Sequence, residues 1–402
     1  MYESVREYLR LFEDCFARSE PFEHLVAYVN GQLSELRRKS IGPLAHAAGI
    51  PPRTLQHFLS RHAWDEEGVL DALQQIIGED YQHPCSIGVI QETAHLKKGG
   101  KTPGVQRQWC GKTGKMDNCV LTVHLEYATG DFHSLLDGEL FLPGNWVRDR
   151  KRCRSAGIVE RLRYRPKWRI ALAMYQRAVA NGVRFEWLSL NEQYGQVTEL
   201  LFQLDGRGQR YIAEVPRTFT GWAVKPSVLQ KGRHRGATFS PEDRQLKSRS
   251  APPICVEKLL HHYPVINNEP WQKVTVPVVG GVPIVCEAKA ADYFLERNGL
   301  PTRSHRVILM CRPNKAVEIR YFVSNAPRWT PLELLLHVAI SRNHIEQCFQ
   351  REKEQLGLSD FEVRNYLSLR RHLILTAVSH LFLTRFKHVR PKAPDDRERP
   401  VT

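Results

Sequence analysis

Residues 118–141, NCVLTVHLEYATGDFHSLLDGELF, alternate apolar and polar side chains on both sides of Ala128-Thr129-Gly130. Period-two alternation broken by a short Gly-containing turn signals a β-hairpin. It predicts strands over Asn118–Tyr127 and Asp131–Phe141, and Ser86–Ile90 upstream reads as a short apolar strand. Downstream the period lengthens: Pro near one end and Asn-Gly at the other bound a helix at about Pro166–Asn181. A strand at Val183–Leu190, a helix at about Val197–Asp205 and a strand at Gln209–Val215 complete an α/β order.

Outward from that centre, residues 1–80 read as helical, with Val5, Leu9, Phe12 and Phe16, then Leu70, Leu73 and Ile76, at helical spacing. Within them IGPLAHAAGIPPRTLQHFLSRHAW (41–64) has the form helix, Gly-containing turn, helix. Ala45, Ala47 and Gly49 are expected at the crossing, and Thr54, Leu55, Phe58 and Leu59 on the second helix's inner face. Such a pair is either a helix-turn-helix for a major groove or a hairpin that only packs on the next domain. From Pro216 to about Arg328, Pro, Gly and basic residues precede short strands at Lys273–Val279, Arg306–Cys311 and Val317–Val323. Two helices follow, about Pro331–Leu356 and Phe361–Phe386, then a Pro-rich charged tail. The fold class is α/β, an RNase H-like core interrupted by a β-rich insertion and preceded by an all-helical domain. The boundaries read 1–82 helical, 83–215 core, 216–328 insertion, 329–388 final core helices and 389–402 disordered tail.

The chain has 402 residues, room for two or three domains. No apolar run approaches a membrane span, and the mixed-charge N-terminus does not read as a secretory signal. Nine scattered cysteines form no CxxC pair or zinc-spaced Cys/His group, which predicts a reduced cytoplasmic protein without thiolate metal sites. The formal charge is +15, and the excess is clustered. Residues 148–169 hold ten basic and two acidic side chains, and 97–115 hold six basic and none acidic. Clusters of this kind release counterions when they meet a phosphate backbone, so a polyanion partner is expected.

Three stretches carry a family resemblance: IGVIQETAHLKKGGKTPGVQRQWCGKTGKMDNC (87–119), FEWLSLNEQYG (185–195) and SRNHIEQCFQREKEQLGLSDFEVRNYLSLRRHLILTAVSHLFL (341–383). Together they resemble DDE-class transposases of bacterial insertion sequences, whose core carries a β-rich insertion before its last acidic residue. The resemblance implies three carboxylates that hold two divalent metal ions for DNA cleavage and strand transfer. Carried over residue by residue, the first acid falls on Gln91, the second on Asn191 and the third on Glu346. Arg342, Glu346 and Lys353 match the family's Arg-x3-Glu-x6-Lys signature, and its Tyr falls on Ala339. Gln and Asn each offer one neutral oxygen, so two of three negative charges are missing at these positions. Glu92 and Glu192 are adjacent, but successive strand side chains face opposite ways.

The resemblance implies double-stranded DNA as the partner. Lys97, Lys98, Lys101, Arg107, Lys112 and Lys115 form a Gly-rich basic strand–turn–strand, with Trp109 placed to stack or wedge. Arg217 and Trp222 in PRTFTGW, and Lys231, Arg233 and Arg235, extend the basic surface, and Arg342 and Lys353 are further phosphate ligands. The plainer alternatives are core packing for each Trp and a solvated face for each basic run. His133, His344 and His372 fit no nuclease pattern and read as structural. The leading expectation is a catalytically inactive, transposase-derived DNA-binding protein, a regulator or targeting factor, without cofactor. It would be bacterial, cytoplasmic and nucleoid-associated, dimeric on DNA, with no membrane. The alternatives are an active transposase using Mg²⁺, and a module whose old DNA cleft docks a protein partner.

Overall fold

The computed structural model describes residues 2–130, 132–230, 244–247, 250–277, 282–311 and 318–389. The expected tail from 390 onward lies outside them. The chain divides into two compact units, 1–185 with 345–402, and 186–344.

The first unit opens with α1 (Tyr2–Leu9), α2 (Ser19–Leu33), α3 (Ile41–Ala47), α4 (Pro52–Ser60) and α5 (Glu66–Asp80). Val5 and Leu9 fall on α1, whereas Phe12 lies in a 3-10 turn, Arg10–Cys15, that breaks the helical run. Pro52 sits at the start of α4, where a missing N–H costs nothing, and the Asp65 carboxylate caps α5 by accepting the Gly68 N–H at 2.9 Å. Between α3 and α4 the chain turns at Gly49, whose φ of 68° suits glycine. Leu55, Phe58 and Leu59 are buried as the periodicity requires. Ala45 is buried too, but Ala47, expected at the crossing, is exposed.

Four antiparallel strands follow: β1 (Ile87–Leu96), β2 (Gln106–Cys110), β3 (Lys115–Thr129) and β4 (Phe132–Leu140). Fifteen-residue β3 is the organiser. It pairs with β1 along one edge, and with β2 and then β4 along the other. Helices α6 (Gly144–Arg148), α7 (Arg150–Ser155) and α8 (Lys167–Ala180) come next.

The second unit contains β5 (Trp187–Leu190), α9 (Glu192–Gly195), α10 (Thr198–Asp205), β6 (Tyr211–Val215), β7 (Thr220–Trp222), β8 (Val228–Gln230), β9 (Arg244–Leu246) and β10 (Ile254–Cys255). After α11 (Leu259–His262) and α12 (Pro264–Asn267) come β11 (Gln272–Val276), β12 (Ile284–Arg297), β13 (Leu300–Cys311) and β14 (Arg320–Ser324). Its main sheet runs β10-β7-β12-β13-β14-β6-β5, with β11 on β12 and β8–β9 forming a separate ribbon. Within it, among the described residues, only β5 and β6 pair in parallel. Strands β14, β13, β12 and β7 therefore continue the sheet of β6, because β14 pairs with β6 antiparallel.

Helix α13 (Leu332–Gln355) starts in this unit and ends in the first, and α14 (Tyr366–Val389) belongs to the first. Gln32 ties α2 to α14, donating to Thr376 Oγ1 at 2.9 Å and accepting from Ser379 at 2.8 Å. The α/β class and the helical N-terminal part agree with the sequence reading.

Two features of this framework are sensitive to single changes. A Cβ on Gly195, in α9, would lie 1.9 Å from the Glu214 carbonyl oxygen of β6. Backbone cannot yield as a side-chain tip can, so Gly195→Ala should destabilise the protein by about 1–3 kcal/mol, read as a lower urea midpoint. An unchanged midpoint would contradict this close packing. The second is Glu352 on α13, whose Oε2 lies 2.6 Å from His133 Nε2 and 2.7 Å from His380 Nε2. The Leu135 N–H points at His380 Nδ1 at 3.4 Å, so that ring presents its N–H at Nε2. Burial raises the Glu352 carboxyl, but the hydrogen bonds from His133 and His380 outweigh it and hold the group well below the usual carboxylate range. Burial holds His380 below 6.5 despite the carboxylate beside it. In both cases the unfolded chain takes up protons first as pH falls, His380 from about 6.5 and Glu352 from about 4.5. Stability should therefore be retained above pH 6.5 and lost progressively below it. Glu352→Gln should be less stable at neutrality and, with no carboxylate left to offset burial at His380, should lose stability more steeply between pH 6.5 and 4.5; melting curves with parallel or shallower slopes over that range would refute this.

Candidate active site and nucleic-acid interface

Strand alternation puts Gln91, Thr93 and His95 on one face of β1 and Glu92 on the other. Register places Gln91 opposite His124 and Thr93 opposite Thr122, so β3 adds Thr122, His124 and Glu126 to the same face. This face is polar yet buried. His95 Nε2 and His124 Nε2 each lie 2.7 Å from Thr122 Oγ1, and His95 Nδ1 is 2.8 Å from Ser359 Oγ. The pKa of each histidine is driven well below the usual imidazole value, first by burial and then by neighbouring positive charge, Lys353 included. Gly138 on β4 makes room for His124: a Cβ there would meet its Nδ1 at 2.8 Å.

Glu126 is fully buried. Its Oε1 accepts the Gln91 side-chain N–H and lies 2.5 Å from Lys353 Nζ on α13. Its Oε2 is buried and, among the described residues, has no hydrogen-bond partner. Burial pushes the Glu126 carboxyl up to about 7 and nearby Glu346 adds to this, while Lys353 and Gln91 pull it down. Gln91, Glu126 and Lys353 thus form one cluster, with Glu346 acting on it electrostatically. Glu92, on the opposite face, is 2.6 Å from Lys167 Nζ of α8.

In the other unit Asn191 ends β5 and caps α9, its Oδ1 accepting the Tyr194 N–H at 3.3 Å. Glu192 is exposed and lines a polar cleft of about 340 Å³ with Glu214, Arg217, Glu257 and Arg320. Arg342 is buried and pairs with Glu214 Oε2 at 2.8 Å. Neither Arg342 nor Lys353, at 2 % side-chain exposure, presents its charge at the surface.

The basic residues divide in the same way. Lys97 is tied down, donating to the carbonyls of Ser359 (3.0 Å) and Phe361 (2.6 Å) and lying over the Phe361 ring. Burial brings its pKa down to about 8. Lys98, Lys101, Arg107, Lys112 and Lys115 are exposed, with Lys112 3.3 Å from Glu354. On the β2–β3 hairpin Trp109 faces Met116 in register, and they are 61 % and 52 % exposed. Arg217 is exposed beside Glu257, whereas Trp222 is 2 % exposed and its indole N–H is bonded to the Ala251 carbonyl. That burial leaves Trp222 no face for a base. Lys231, Arg233 and Arg235 lie outside the described residues.

Sequence reasoning missed Glu126. Its signal was present: polar residues at 122, 124 and 126 match polar residues at 91, 93 and 95, a pattern that ordinarily marks a solvent face. It also missed the grouping of His133 with Glu352 and His380, which come from three different elements.

Comparison with known proteins bears on the family. The family model described as DDE superfamily endonuclease matches residues 11–278. A probable transposase for insertion sequence element IS701 from Microchaete diplosiphon is 28 % identical over 193 residues, 48 % of this chain and 48 % of the relative. The chain therefore spans about half the length of the relative it matches. No helix among the described residues is long and apolar enough to cross a membrane. With an α/β fold, N-terminal helices and a family match over most of its length, the chain belongs to the DDE superfamily endonucleases, the transposase-like group.

Proposed function

We propose that this chain is a transposase-derived DNA-binding protein that does not cut DNA and serves as a regulator or targeting factor. The observation that carries the reading is the state of Glu126. Its carboxylate is already answered by the Lys353 ammonium at 2.5 Å and by the Gln91 amide. Family members normally use divalent metal, which requires several anionic oxygens converging on each ion. The residues here do not fit that demand. Gln91 and Asn191 are neutral, Asn191 is spent on a helix cap, and the nearest buried carboxylate is held by an internal cation.

The binding half of the proposal rests on the β2–β3 hairpin and the basic run 148–169. Exposed Lys98, Lys101, Arg107 and Lys115 suit phosphates, and Trp109 suits stacking or wedging. Duplex DNA is the expected partner, carried by a DNA-linked homodimer in a bacterial nucleoid.

Two experiments test this. Wild-type protein on labelled duplex with Mg²⁺ or Mn²⁺ should bind without cutting, while the Gln91→Asp/Asn191→Asp double variant should gain nicking. Wild-type nicking that disappears in Glu346→Gln or Glu126→Gln would establish an active enzyme instead. Failure to bind any duplex at moderate salt would remove the DNA-binding reading. In the second experiment, Arg107→Ala/Lys115→Ala should weaken binding evenly across sequences and reduce the slope of log K against log salt by roughly two. An unaltered slope would place the phosphate contacts elsewhere.

A further inference from the structure

The N-terminal helices bring together three metal-ligating side chains distant from β1 and α13 in sequence. Glu20 and His24 lie one turn apart on α2, hence on one face, and His62 follows the end of α4. One carboxylate oxygen and one nitrogen from each imidazole lie within 4.8 Å of one another. The two rings have centroids 5.3 Å apart. Nδ1 of His24 and Nδ1 of His62 are both buried and, among the described residues, have no hydrogen-bond partner. Buried polar atoms ordinarily find partners, and two orphaned imidazole nitrogens on adjacent rings beside a carboxylate call for a shared one.

We infer that Glu20, His24 and His62 form a site for a divalent transition-metal ion of the zinc class, joining the first turn of α2 to the C-terminal end of α4. Two imidazoles and a carboxylate are a ligand set of three that leaves a fourth position for water. Metal–ligand bonds of roughly 2.0–2.2 Å set ligand atoms about 3–3.5 Å apart, so small side-chain rotations complete the set. Burial and His62 depress the His24 pKa against the pull of Glu20 and Glu23, which favours the neutral ligand form. A buried cation on a neighbouring helix, Arg371, donates to the His62 carbonyl and pairs with Glu66. His133, Glu352 and His380 are also close enough for an ion. Their geometry is different, because both Nε2 atoms are already at hydrogen-bond distance from Glu352 Oε2. The inferred ion would fix the end of α4, the second helix of the helix-turn-helix-like pair.

The test uses full-length, chelator-treated protein at pH 7.5, titrated with Zn²⁺ by calorimetry and with Co²⁺ by visible absorption. One equivalent should bind, with tetrahedral Co²⁺ bands and a higher melting temperature. Affinity should fall at least tenfold in His24→Ala and in Glu20→Gln, the latter at an exposed position outside the packed core. His133→Gln should bind as wild type does. Absence of binding, binding unchanged in both variants, or binding lost in His133→Gln would each overturn the assignment.

Discussion

A carboxylate with no solvent-exposed surface needs a counter-charge, and for Glu126 that charge is Lys353. The pair joins the C-terminal part of β3 to the last turns of α13 across a face that is polar yet buried. Removing one partner of such a buried pair typically costs about 3–5 kcal/mol, because the survivor is left charged and unsolvated. The surrounding side chains follow from the same constraint. Gln91 supplies an N–H to the acid, and the imidazoles of His95 and His124 remain neutral beside the ammonium. Glycine stands at 138 because His124 needs the space.

The second unit handles charge differently. Glu214 on β6 meets Arg320 at 2.7 Å and Arg342 at 2.8 Å, so the acid there is answered twice. Asp205 and Arg303 form a further pair, and Asn325 donates to Asp205 at 3.0 Å and to the Gln209 carbonyl at 2.8 Å. Arg342 and Lys353 of α13 are thus spent internally, one in each unit, whereas Lys98, Lys101 and Arg107 keep their charges solvated.

Much of the element order was legible, because hairpin alternation and helix punctuation are local signals. The helices near 167–180 and 332–355, and the β3–β4 hairpin, appear close to where periodicity places them. The fourteen-residue strand β12 was not anticipated. Its sequence, IVCEAKAADYFLER, is rich in Ala, Glu and Lys, which disfavour strands, and pairing on both edges overrides that preference. The Asn298-Gly299 turn was the available clue, with positive φ at both residues. Phe361 was assigned to the last helix, but α14 starts at Tyr366. The candidate site was legible only where a motif carried it. Glu126 and the groups around His62 and Glu352 depend on contacts between segments far apart in the chain, for which no spacing rule exists.

Asn191 illustrates how a chain can change chemistry while keeping its shape. Asn and Asp are nearly equivalent at the start of a helix, since either offers an oxygen to the backbone N–H two or three residues on. The cap on α9 therefore tolerates both residues, and exchange between them leaves the β5–α9 corner intact. At such a corner selection on folding is blind to charge. A lineage holding this scaffold can drift between anionic and neutral versions of the position, because the fold accepts either.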